Sequence, residues 1–152
     1  MGYIREIRAL VGNRPLVLVS AMVLLIDGDG RLLMQRRVGT GAWHVPGGYL
    51  EPGESVEQTA RREALEESGL TVGELELVGV YSGPEFHWFA PNGDEIFNVT
   101  VAFVTRDFYG EARADGEEGD TVRFFRIDDL PDDLGPPAGA VLEDLKGRGA
   151  VG

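Results

Sequence analysis

Between Arg62 and Gly69 the chain reads REALEESG, which places three carboxylates, Glu63, Glu66 and Glu67, within a single helical turn or so. On a helix that turns about 100° per residue, with Val56 at zero, Ala60 falls at about 40° and Ala64 at about 80°, marking an apolar stripe. Glu67 then lies at about 20°, inside the stripe, Glu63 at about 340°, on its edge, and Glu66 at about 280°, beside it. A solvated helix face would carry its carboxylates opposite the apolar side, with Arg61 and Arg62 as partners one turn away. Carboxylates crowded at the buried side repel one another and resist desolvation unless a cation compensates them. An all-oxygen donor set of this kind suits Mg²⁺ or Mn²⁺, with waters or substrate phosphates completing an octahedron.

The helix that carries them has clear ends. Ser55-Val56-Glu57-Gln58 has the spacing of a capping box, and Gly69 is suited to the left-handed C-terminal stop. Ahead of it stands the turn Pro46-Gly47-Gly48. At the N-terminus, Ile4, Ile7, Leu10 and Val11 recur at helical spacing before Gly12-Asn13. Residues 16–26 form a near-continuous apolar run, expected as a strand buried on both faces. Asp27-Gly28-Asp29-Gly30 predicts a turn and RLLMQRR a returning strand, so 16–37 reads as a hairpin. Two further strands are expected near 73–83 and 95–107, with Asn92-Gly93 as a hairpin turn between them. An acidic loop (110–120), a last strand (121–127) and a closing helix (138–149) complete the chain. Strands interleaved with helices predict an α/β (α+β) fold, a mixed sheet sandwiched between helices, in one domain over 1–152.

Composition narrows the function classes. With 14 Lys+Arg against 26 Asp+Glu the formal charge is −12, which repels a nucleic-acid polymer. An anionic substrate must therefore arrive with a metal ion or meet a local basic patch. The absence of cysteine excludes thiolate catalysis and Cys-ligated zinc, and two histidines are too few for a His-rich metal site. No apolar run reaches the length of a membrane span, and the charged start lacks a leader pattern, so a cytoplasmic location is expected.

Gly48, five residues, Glu54, seven residues, then Arg62-Glu63-Ala64-Leu65-Glu66-Glu67-Ser68-Gly69-Leu70 resembles the signature of the Nudix (MutT-like) hydrolases, G-x5-E-x7-R-E-U-x-E-E-x-G-U, with U a bulky aliphatic. Every fixed position matches over 48–70; only Ala64 is smaller than the usual aliphatic. The resemblance implies a Nudix fold and a Mg²⁺- or Mn²⁺-dependent enzyme. Its reaction would be the splitting of a pyrophosphate bond in a small nucleotide, a nucleoside triphosphate or an ADP-ribose-type sugar nucleotide. It assigns Glu63, Glu66 and Glu67 to the metal, with the Gly47 carbonyl as a further ligand, and makes Glu54 and Arg62 a brace between loop and helix. The proton acceptor in such enzymes is a carboxylate of the signature helix or of a later loop. Here that leaves Glu66, or Glu118 in the loop before TVRFF.

Other residues are candidates on the substrate side. Arg36 and Arg37 end the second strand and can meet a phosphate or simply decorate an exposed strand end. Trp43 can stack on a base or pack beneath the Gly-Gly loop. In FHWF, alternation puts Phe86 and Trp88 on one face, and one such pair can line a nucleobase pocket. A non-catalytic nucleotide sensor on the same fold is the alternative, although such domains lose signature glutamates and this chain keeps them all. An isopentenyl-diphosphate-isomerase-like chemistry needs the cysteine that is missing. A homodimer is expected by analogy with the family.

Overall fold

The computed structural model describes residues 2–132, 134 and 136–148. Strand β1 (Leu16–Leu25) is the axis of the fold. Its residues alternate between two cores: Ala21, Val23 and Leu25 face one side, while Leu24 and the adjoining Ile26 face the other. Only its second half is the doubly buried strand expected of an uninterrupted apolar run; in the first half Val17 and Val19 are exposed. Both edges of β1 are occupied. β4 (Gly47–Tyr49) pairs with it antiparallel, and β8 (Glu95–Thr105) pairs with it parallel, Ser20 opposite Thr100. β6 (Glu76–Tyr81) and β7 (His87–Phe89) both add to β8 antiparallel, completing a five-stranded mixed sheet.

A second, antiparallel sheet runs in the order β10 (Gly119–Arg126), β2 (Arg31–Arg37), β3 (Trp43–His44). β5 (Thr71–Val72) and β9 (Phe108–Tyr109) form a short ribbon. Helix α2 (Val56–Ser68) lays Ala60 and Ala64 against Ala21, Val23, Leu25 and Leu33. On the opposite face, α3 (Pro136–Gly147) brings Val141, Leu142 and Leu145 against Leu24, Ile26, Leu32 and Met34. The mixed sheet thus lies between two helices. Small residues on α2 let it sit close to the sheet, whereas α3 fills its space with larger ones. Helix α1 (Gly2–Val11) buries no residue fully and is held by polar contacts, Arg8 donating to the Glu95 carbonyl at 2.7 Å. Among the described residues no helix is long and apolar enough to cross a membrane.

Several elements differ from the sequence expectation. Residues 16–37 are not a hairpin, because β1 has no free edge for β2. The chain turns at Asp27, whose carboxylate accepts the Asp29 and Arg31 N–H groups at 3.0 and 2.8 Å. It then crosses into the second sheet with a single bridge, Ile26 to Leu32. The strand expected over 73–83 is shorter, β6 over 76–81, and a separate short strand, β5, precedes it at 71–72. Between the two lies Gly73, where the Asp107 carboxylate occupies the space a side chain would need. Phe86 lies in a 3₁₀ turn (Pro84–Phe86), so the alternation of β7 begins only at His87. Phe86 and Trp88 therefore do not share a strand face. The β7–β8 hairpin does turn at Asn92-Gly93, with Ala90 N–H donating to Asp94 at 2.8 Å and Gly93 at φ 93°. The last helix begins at Pro136, two residues before its expected start, and residue 149 lies outside the described residues.

Candidate metal and active site

The glutamates are held in place by a helix fixed at both ends. Gln58 N–H donates to Ser55 Oγ at 3.1 Å, and Ser55 N–H donates to Gln58 Oε1 at 2.8 Å. At the other end Gly69 adopts φ 75° and its N–H donates to the Leu65 carbonyl, a conformation that disfavours any side chain. Between these caps Glu67 is 2% exposed, the most deeply buried carboxylate of the helix. Its Oε1 accepts the Gly47 N–H at 2.9 Å. Glu63, one turn earlier, lays its carboxylate on Gly48. A Cβ on that glycine would come within 2.5 Å of the carboxylate carbon, so only glycine admits this approach.

A third carboxylate comes from far along the sequence. The β2–β10 register slips at Asp120, leaving Gly119 opposite Arg37 and Thr121 opposite Arg36. Such a bulge re-aims the strand end. The loop before it is tied by Asp115, whose Oδ1 accepts the N–H groups of Glu117, Glu118 and Gly119 at 3.0, 3.1 and 3.1 Å. Val38 N–H donates to the Glu118 carbonyl at 2.9 Å. The result is a cluster in which Glu63, Glu67 and Glu118 each offer an oxygen within 4.8 Å of the others.

Electrostatics sets this cluster apart from its neighbours. Burial pushes the Glu63 carboxyl up to about 7; Arg62 opposes the shift, and Glu66 and Glu118 add to it. Glu67 is pushed well above the carboxylate range, first by burial and then by its hydrogen bond with Glu118, while the Gly47 N–H opposes. Three carboxylates this close can all ionise only around a cation. Beside them, Arg62 grips Glu54 with two bonds, Nε to Oε2 at 2.6 Å and Nη2 to Oε1 at 2.9 Å. Glu54 also accepts the Glu51 N–H and the Thr59 hydroxyl, both at 2.9 Å. These bonds, Arg62 foremost, hold the Glu54 carboxyl down at about 2, and Glu54 in turn raises the Arg62 guanidinium. Arg62 reaches the cluster only through Nη1, 2.7 Å from Glu63 Oε1. The donor set is all oxygen with an excess of negative charge, which fits a hard divalent cation.

The remaining candidates are distributed unevenly. Glu66 lies outside the trio, with its side chain 57% exposed and 3.4 Å from Arg62 Nη1. At Gly47 the N–H is the group turned to Glu67. Arg36 pairs with Asp120 at 3.0 Å and donates to Thr121 Oγ1 at 3.4 Å, outside the cluster. Arg37 lies near Tyr49, where it and Arg8 counter the rise that burial imposes on the phenol. The Tyr49 hydroxyl donates to Asn98 Oδ1 at 2.7 Å. Trp43 packs edge-on to Phe125 at 4.9 Å, against the α3-side core. Phe86 is buried in that core, edge-on to Tyr81 at 6.3 Å, so it is a packing residue in this structure. Trp88 is half exposed opposite Ile96. His87 is committed to Glu95 at 2.8 Å and stacked on Phe97.

Sequence reasoning passed over Asp115, Tyr49 with Asn98, and Gln35. Asp115 carries the signal of an Asp two to four residues ahead of the N–H groups it caps, which was legible. Gln35 was marked only by being polar in an apolar strand. The Tyr49–Asn98 pair carried no signal, because its partners are brought together by the sheet alone.

Comparison with known proteins agrees with this geometry. The NUDIX domain model matches residues 17–145. The chain is 34% identical over 110 residues to an ADP-ribose pyrophosphatase of Methanocaldococcus jannaschii, covering 70% of this chain and 61% of that protein. It is 36% identical over 114 residues to an oxidized purine nucleoside triphosphate hydrolase of Danio rerio, covering 72% and 67%. Among solved structures, a MutT NUDIX hydrolase from Burkholderia pseudomallei superposes with a TM-score of 0.74 at 28% identity, covering 86% of this chain and 98% of that one.

Proposed function

Because the chain belongs to the NUDIX domain family, we propose that it is a Mg²⁺- or Mn²⁺-dependent hydrolase that cleaves the pyrophosphate linkage of a small nucleotide and releases a nucleoside monophosphate. The observation that carries this reading is the trio Glu63, Glu67 and Glu118, three carboxylate oxygens within 4.8 Å of one another around a buried helix face. The substrates named for two relatives, ADP-ribose and an oxidized purine nucleoside triphosphate, share the diphosphate unit. That shared unit supports a diphosphate-containing nucleotide as the substrate class.

Glu63 and Glu67 would hold the cation, with Glu118 joining from its loop. Glu66 would turn in from its long contact with Arg62, and the Gly47 carbonyl would be a further ligand. A divalent ion bound here neutralises pyrophosphate oxygens and lowers the pKa of a water it carries. The chain's own work is to place the carboxylates. Gly47 N–H and the helix caps fix Glu67, Gly48 makes room for Glu63, and the Asp115 turn delivers Glu118. Glu118 is the proton acceptor in this reading, because it sits on the exposed side of the trio, where water reaches it. Glu66 is its rival on the helix. In this reading Arg37 would meet a phosphate and half-exposed Trp88 a base. The cation also explains how a chain of charge −12 takes an anionic substrate.

The test is hydrolysis of a panel, nucleoside triphosphates, their oxidised forms, ADP-ribose and dinucleoside polyphosphates, with Mg²⁺ or Mn²⁺, following monophosphate release. Turnover of at least one member, lost on chelation, is expected. Metal-dependent binding of a panel member without turnover in the wild type would instead leave a sensor.

A further inference from the structure

Among the described residues, Gln35 is the side chain whose buried polar atoms have no partner: it is 1% exposed, and neither Nε2 nor Oε1 is hydrogen-bonded. Burying a carboxamide unpaired gives up its hydration for nothing, and methionine would fill the same space without that loss. Its place in the fold is specific. On β2 it shares a face with Leu33, which packs on Ala60 and Ala64, so its amide is on the α2 side. Its strand neighbours are Val122 on β10 and His44 on β3. A Cβ on Gly119 would come within 2.5 Å of Gln35 Oε1 and 3.3 Å of its Cδ. The amide therefore lies against the backbone of the residue that follows Glu118.

Gly119 also stands at the opposite imbalance. Asp115 Oδ1 accepts three N–H groups, from Glu117, Glu118 and Gly119, at 3.0 to 3.1 Å. An oxygen has about two lone pairs to offer, so this acceptor is over-subscribed. An overcommitted acceptor and an uncommitted one thus flank the same peptide. From this we propose that Gln35 is a positioning residue for Glu118: its carboxamide takes over a backbone hydrogen bond of the Glu118–Gly119 segment when the Glu118 carboxylate is drawn onto a cation held by Glu63 and Glu67. The inference rests on the metal-dependent reading of the site. It gives the orphaned amide a partner in the metal-loaded protein and lets the loop shift without stranding an N–H group.

The experiment measures Mn²⁺ affinity from the EPR signal of free Mn²⁺, together with kcat, KM and melting temperature. Gln35→Met is expected to leave the metal-free melting temperature unchanged or higher. It should weaken Mn²⁺ binding about tenfold and lower kcat by a similar factor, with KM within about twofold. Gly119→Ala approaches the contact from the other side, since its backbone is outside the left-handed region and its methyl group would displace the amide. It should reproduce both losses. In a Glu118→Gln background, Gln35→Met should add nothing further, because the two act as a unit. Wild-type affinity and kcat in both variants, or losses that simply add in the double variant, overturn the inference while leaving the hydrolase reading intact. A wild-type chain that neither binds Mn²⁺ nor turns over any panel member overturns both.

Discussion

Two groups of carboxylates share α2 and the loop ahead of it, and the fold treats them in opposite ways. Glu54 is matched bond for bond, its oxygens meeting two nitrogens of Arg62, a backbone N–H and a hydroxyl. Its proton affinity falls accordingly, to about 2. Glu63 and Glu67, on the helix face beyond, share one nitrogen of that arginine and one backbone N–H, and their proton affinities rise. The first group is complete as it stands and ties the loop to the helix. The second is incomplete, and what it lacks is positive charge. Charge left over beside a fully compensated brace distinguishes a binding site from a structural ion pair.

The sharpest way to break this contrast is to neutralise one member of the second group. Glu67→Gln keeps the Gly47 hydrogen bond yet removes a proposed ligand, so kcat should fall at least about a hundredfold. The metal-free melting temperature should hold, because the amide replaces a carboxyl that burial already keeps protonated. A destabilised Glu67→Gln protein that retains activity would place Glu67 with the brace instead. Arg62→Met attacks the first group and should act on stability, costing about 1–3 kcal/mol. Calorimetry would read this as a melting temperature lower by about 2–10 °C.

The pH dependence of stability separates the groups without mutation. Glu63, raised to about 7 from an ordinary 4.5, is protonated without penalty below the ordinary value, and its ionisation disfavours the fold as pH rises between the two. Glu54, lowered to about 2 from 4.5, stabilises the fold above the ordinary value and withdraws that support as pH falls toward 2. The metal-free melting temperature should therefore decline between about pH 4.5 and pH 7, and saturating Mg²⁺ should flatten the decline. A decline that Mg²⁺ does not alter would mean that the cluster does not hold the ion. The smallest expected effect is that of Glu66→Gln, under about tenfold in Mn²⁺ affinity, since Glu66 must leave Arg62 and water to join the site. A loss as large as that of Glu67→Gln would move Glu66 into the permanent ligand set.

Much of the site was legible because it is local. A helix of known pitch carries Ala60, Ala64, Glu63 and Glu67, and its start and stop are written in Ser55, Gln58 and Gly69. Periodicity alone therefore aimed Glu67 at the core and put Glu66 beside the apolar stripe; the structure is what leaves Glu66 outside the trio. The strand at 16–26 and the closing helix followed from the same local logic. The first hairpin failed because pairing is a competition among edges. Nothing in residues 16–37 says that β4 and β8 take both sides of β1. Phe86 failed for a related reason, since a 3₁₀ turn shifted the alternation by one residue.

By itself, then, the sequence determined the periodic elements, the carboxylate helix and the charge that demands a counter-ion, all properties of residues a few positions apart. The tertiary structure alone decided that Glu118 joins Glu63 and Glu67 across about fifty residues, and that Gln35 ends up buried against Gly119 without a partner. Those contacts depend on sheet order, a bulge at Asp120 and the closure of a loop. Each is set by which strand edges remain free after the others have paired, a condition of the whole chain that no short window contains.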